Sequence, residues 1–80
     1  MNRADRIEIN PKICVGKPCI HGSRIPVDKI LSLLAAGWSY DELQKEFLIE
    51  LEDIFAVLDY AAKMLEEEKV YKMPIEMLQE

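Results

Sequence analysis

Cys14, Cys19 and His21 stand in the order C-x4-C-x-H and include both cysteines and the only histidine of the chain. Thiols and an imidazole this close together are the residue types that hold zinc. A structural zinc site, however, takes four ligands, normally from Cys pairs two to four residues apart. No third cysteine or second histidine is present to complete it. A free cysteine also behaves as a small buried hydrophobe, and both lie among Ile and Val, so core packing is the expected role and no metal or cofactor is expected. Two cysteines cannot form the framework of a secreted mini-protein.

Gly16-Lys17 and Gly22-Ser23-Arg24 surround these residues and hint at a phosphate cradle. A P-loop needs G-x-x-x-x-G-K-[ST] between a strand and a helix. Here Lys17 precedes Pro18, which has no N–H to offer a phosphate. The glycines are expected to supply turns that a β-carbon resists. A single histidine next to Gly22, with no serine and acid in triad spacing, reads as a turn residue, so no enzyme is expected.

The elements that must position these residues follow from pattern. Ile7 and Ile9, then Ile13 and Val15, alternate around Asn10-Pro11, which predicts a β-hairpin. Gly16 and His21-Gly22 are turn points, and Pro18 and Pro26 confine any strand there to an edge. Val27, Ile30, Leu31, Leu33 and Leu34 follow helical spacing to Ala36, with Asp28 in the first turn and Gly37 placed as a left-handed C-cap. Ser39 and Glu42 form a capping box for a short second helix, roughly Tyr40 to Phe47, and Trp38 is placed to staple onto Leu43. Two helices separated by Gly37-Trp38-Ser39 must cross sharply, as in a helix-turn-helix pair. A third helix is predicted from Leu51 to Lys69. Its inward stripe is Leu51, Ile54, Phe55, Leu58, Ala61, Ala62 and Leu65; Glu52, Asp53, Ala56, Asp59, Lys63, Glu66 and Glu67 face outward.

Eighty residues make at most one domain, and a chain this short buries only about 60% of its unfolded surface. Three stretches are expected within it: a hairpin arm over 1–26, a helical bundle over 27–69 and a tail over 70–80. No run approaches the about 18 apolar residues of a membrane span, and the N-terminus lacks the apolar core of a signal peptide. The chain therefore reads as cytoplasmic, with no membrane partner. Its net charge of −5 is uneven. Residues 1–37 hold six basic against three acidic groups, whereas residues 50–80 hold three basic against nine acidic ones. An acidic half of this kind is not drawn to phosphate, but it suits a basic protein surface.

The segments Ile9 to Pro11, Gly16-Lys17-Pro18, Gly22-Ser23-Arg24-Ile25-Pro26-Val27, Gly37, Ser39, Glu52-Asp53-Ile54 and Tyr60-Ala61 together resemble the prokaryotic family called domain of unknown function 433. The likeness covers about Arg6 to Ala62. It departs where the family starts its last helix with Ser or Thr, since Glu50 stands here, and where a proline is missing from the preceding loop. The resemblance implies a mainly α, small α+β fold: a β-hairpin followed by a homeodomain-like helix-turn-helix of three helices. It also implies a homodimer acting as a VapB-type antitoxin beside a PIN-like ribonuclease toxin.

Two binding modes compete on the residues. Arg6, Lys12, Lys17, Arg24 and Lys29, with Arg3, are candidate contacts to a DNA backbone, as a transcriptional regulator would need. Glu50, Glu52 and Asp53 at the start of the third helix carry the wrong sign for a recognition helix. Glu66 and Glu67, followed by Val70, Tyr71, Met73, Ile75 and Leu78, are candidate partner-binding residues: carboxylates for a basic rim and apolar anchors for a groove. The leading expectation is the antitoxin, and the alternative is the stand-alone DNA-binding regulator.

Overall fold

The computed structural model describes residues 2–72, with side chains through Glu67. A single 3-10 turn, Ala4–Arg6, leads into strand β1, Ile7–Asn10, which pairs antiparallel with β2, Ile13–Ile20. Three helices follow: α1, Val27–Ala35; α2, Tyr40–Phe47; and α3, Leu51–Lys72. The last continues three residues past its expected end.

The hairpin turns where Asn10-Pro11 predicts. The Asn10 side-chain oxygen accepts a hydrogen bond from the Lys12 backbone N–H at 2.9 Å, closing the reversal locally. Beyond it the ladder is irregular. Asn10 lies opposite Ile13, but the next residue back, Ile9, lies opposite Pro18. Cys14 to Lys17 are therefore an insertion on one strand only. Cys14 (φ +53°), Val15 (φ +55°) and Gly16 (φ +79°) pass through it in the left-handed region. The expected alternation fails at Val15, which is 93% exposed, because the insertion breaks the two-residue period of β2; Ile9 shares the face of Ile7 but borders an open hollow beside α3 and is 61% exposed.

After β2 the chain reverses at Gly22, with φ +79°. Ser23 secures this turn: its hydroxyl donates to the Ile20 carbonyl at 2.8 Å and accepts from the Ile25 N–H at 3.1 Å. The returning segment bridges Cys19 to Pro26, so β2 is tied directly to the start of α1.

Between α1 and α2 the expected signals all appear. The Trp38 N–H donates to the Leu33 carbonyl and the Gly37 N–H to the Leu34 carbonyl, both at 3.0 Å, with Gly37 at φ +101°. These paired bonds form a Schellman ending. Ser39 Oγ accepts from the Glu42 N–H at 3.1 Å, and Glu42 Oε1 accepts from the Ser39 N–H at 2.8 Å, completing the capping box. Trp38 packs against the core that holds Leu43, with its ring 6.5 Å from that of Phe47.

The buried residues are Cys19 and Ile20 of β2, Val27 and Ile30 of α1, Leu43 of α2, and Ile54, Ala56 and Val57 of α3. The expectation of a mainly α, homeodomain-like bundle with a hairpin arm is corrected by this core. The fold is a small α+β one, a hairpin followed by three helices, and the hairpin contributes two of the buried side chains rather than standing ahead of the bundle. The expected facing of α3 is corrected with it. Ala56, expected outside, is buried, and Val57, absent from the expected stripe, is fully buried; Leu51, Ala62 and Leu65 are exposed. The 3-10 turn and β1 pack on α3 as well as α1 and α2.

Candidate docking groove

The basic N-terminus meets the acidic start of α3. Arg6 Nη1 lies 2.8 Å from Glu50 Oε1 and 3.0 Å from Asp53 Oδ1. The Arg6 and Asp53 side chains are only 17% and 14% exposed, so this pair is largely shielded. The hydrogen bonds that Arg6 donates to Glu50 and then to Asp53 push its pKa up. Asp53 also accepts the Glu50 backbone N–H at 2.9 Å, which satisfies an orphan donor at the helix start. Beside it, Arg3 Nε sits 3.3 Å from Glu52 Oε1, and the Arg3 guanidinium lies 5.1 Å from the centre of the Phe55 ring. Phe55 in turn meets Tyr40 edge to face at 5.8 Å. These carboxylates favour the positive end of the helix dipole and act as internal clamps.

This arrangement redistributes the candidate DNA contacts. Arg6 is already paired with α3 through Nη1. Lys17 Nζ is 3.4 Å from Asp28 Oδ2, an exposed pair between β2 and α1. Lys12 on the hairpin turn, Arg24 in the β2–α1 loop and Lys29 in the first turn of α1 are exposed and stand on three separate elements. Among the described residues no group of three or more His, Cys, Asp or Glu is placed to hold a metal ion. His21 faces Glu8, with Nδ1 3.7 Å from Oε2. Among the described residues no helix is long and apolar enough to cross a membrane.

An apolar concavity lies along α3 from Tyr60 to Leu65. It encloses about 430 Å³. Pro18 of β2 and Val27 and Leu31 of α1 form one wall; Tyr60, Ala61, Met64 and Leu65 of α3 form the other. The Lys17–Asp28 pair sits at its rim. Met64 and Leu65 are 46% and 66% exposed, which is unusual for two adjacent large apolar side chains unless something covers them. A smaller hollow of about 150 Å³ opens on the other side of Tyr60, between the N-terminal segment and α3. Its rim carries the Lys63–Asp59 pair at 3.1 Å.

Of the groove's lining only Lys17 was predicted for binding, and then to a DNA backbone. Ala61 and Leu65 do fall on the predicted apolar stripe, but the stripe runs out of core to face before it reaches them. Tyr60 and Met64 complete the i, i+1, i+4, i+5 pattern, the one signal in the sequence for a second apolar face. Of the predicted partner-binding residues, Glu66 and Glu67 are exposed just beyond the groove. Val70 and Tyr71 continue the backbone of α3, but their side chains, and all of Met73, Ile75 and Leu78, lie outside the described residues.

A family model described as "Protein of unknown function (DUF433)" matches residues 7–61. No curated protein and no solved structure matches the chain.

Proposed function

The chain belongs to the DUF433 family, and from that premise we propose that it is a protein-docking module, the antitoxin of a toxin–antitoxin pair that neutralises a PIN-like ribonuclease. One observation carries the reading: α3 presents an open apolar groove, and the next two residues after its Leu65, Glu66 and Glu67, are exposed carboxylates. An enzyme that cuts RNA must attract phosphate, so its cleft carries positive potential. Apolar anchors beside carboxylates complement such a surface, the apolar part supplying affinity and the charges supplying orientation and encounter rate. The opposite chemistry, gripping nucleic acid with α3, is disfavoured by the carboxylates at its start, and the two arginines nearest to it are already paired with those carboxylates.

The test starts from the neighbouring reading frame. If it encodes a PIN-like ribonuclease, the two chains are co-expressed and cleavage of single-stranded RNA is measured. Inhibition by the wild-type chain, weakened at least tenfold by Leu65→Asp in a variant that still folds, supports the reading. A nuclease that cuts equally well with and without the chain overturns it, as does a neighbouring frame that encodes no nuclease. Retardation of promoter DNA by the isolated chain, abolished by Arg24→Ala, would favour a transcriptional regulator instead.

A further inference from the structure

Cys14 and Cys19 are five residues apart on one strand. In regular β-structure that spacing points two side chains to opposite faces and separates them by roughly 16 Å. The four-residue insertion cancels both effects. Its left-handed residues Cys14 and Val15 are non-glycine, and Val15 is β-branched, a genuine outlier in that region. The fold thus holds a strained backbone here, and the strain has a visible product. Cys14 Sγ donates to the Arg24 carbonyl at 3.4 Å and Cys19 Sγ points to the neighbouring Ser23 carbonyl at 4.0 Å. The two thiols thus converge on consecutive peptide groups of one loop.

We propose that Cys14 and Cys19 form a reversible intrachain dithiol–disulfide pair. Cys14 is half-buried and meets the oxidant first; Cys19 is fully buried and resolves. A hydroperoxide converts the Cys14 thiolate to a sulfenic acid and leaves as an alcohol or water. The Cys19 thiolate then attacks the Cys14 sulfur, the S–S bond forms, and the hydroxyl departs as water. Two thiols are oxidised and one peroxide is reduced. Closure is slow at neutral pH, because burial first, and the nearby Cys14 second, push the Cys19 thiol up to about 11. Lys17 and Pro18, inside the closed loop, are also part of the groove lining. Any effect of oxidation on partner binding therefore rests on the docking function proposed above, but the disulfide itself does not.

The test needs no partner. The full chain is equilibrated in a glutathione redox buffer, folded and in urea, its free thiols are alkylated, and it is digested with trypsin. Both cysteines fall in the fragment 13–24, since Pro18 protects the bond after Lys17. The expected result is an unalkylated fragment about 2 Da lighter, restored by dithiothreitol, with the chain unlinked to a second copy. Its equilibrium constant in the folded chain should exceed that in urea at least tenfold, because the fold holds the sulfurs together. An equal or smaller constant in the folded state overturns the proposal, and so does cross-linking between chains alone. Cys14→Ser and Cys19→Ser must each lack the fragment about 2 Da lighter, leaving the remaining thiol alkylated or as a glutathione mixed disulfide; the lighter fragment in either variant would also count against it.

Discussion

The two halves of α3 belong to one helix and have opposite fates. In the first half, Ile54 and Val57 are fully buried, Ala56 is covered by the N-terminal segment, and the acids Glu50, Glu52 and Asp53 at its start are each met by an arginine. In the second half, Met64 and Leu65 stand half in solvent beside Glu66 and Glu67. Composition does not separate the halves, since both mix aliphatic residues with carboxylates. Coverage does: the hairpin and the 3-10 turn pack on α3, and among the described residues Met64 and Leu65 remain open. That open face is the one on which the docking reading proposed above rests.

That contrast can be broken by substitution. Ile54→Ala should cost about 3 kcal/mol, a typical large-to-small penalty in a core, and lower Tm by roughly 10 °C or more. Leu65→Ala, the same kind of truncation three turns later, should stay within about 0.5 kcal/mol. Urea titration of the two variants decides the matter; equal losses would mean that the groove is already filled in the isolated chain.

Arg6→Ala should come next, lowering Tm by about 5 °C or more, because it strands Asp53 in a shielded place. Arg6→Lys should recover part of the loss, since it keeps the charge but must place its ammonium where one guanidinium nitrogen now meets both carboxylates. If both variants melt with the wild type, the ion pairs at the start of α3 are surface decoration.

Ser39→Ala removes the capping box of α2 and should cost about 1 kcal/mol. It should leave the two halves of α3 unequal, which circular dichroism with hydrogen exchange along α3 would check.

A pH titration sharpens the picture of the hairpin. The Cys19 pKa is raised in the folded chain from 9.0 to about 11. Between these values the unfolded chain has lost the proton that the folded chain keeps, so stability is intact below pH 9 and declines as pH rises toward 11. Cys19→Ala should show a smaller decline over that window. Smallest of all, Glu66→Gln and Glu67→Gln should leave stability within about 0.5 kcal/mol while weakening any complex with a basic partner; a marked loss of stability would show these carboxylates to be structural.

The local punctuation of this chain was legible beforehand. Ser39-x-x-Glu42, Gly37, Asn10-Pro11 and Gly22 each specify a cap or turn through partners at most five residues away, so their geometry follows from short-range sterics and hydrogen bonding. The hairpin register was not legible. Nothing in Ile13-Cys14-Val15 announces a four-residue insertion, and alternation pointed Val15 the wrong way. The apolar groove was half legible: the acids after Leu65 were visible, but the groove needs Pro18, Leu31 and Met64 brought together from three elements.

By itself, then, the sequence determined where elements start, stop and reverse, because those choices are made among near neighbours. Only the tertiary structure decided which side of α3 is inside, that Arg6 would find Glu50 and Asp53 across more than forty residues, and that two thiols five residues apart would converge. Each of those outcomes depends on which distant segment arrives to cover a surface, and no local pattern carries that information.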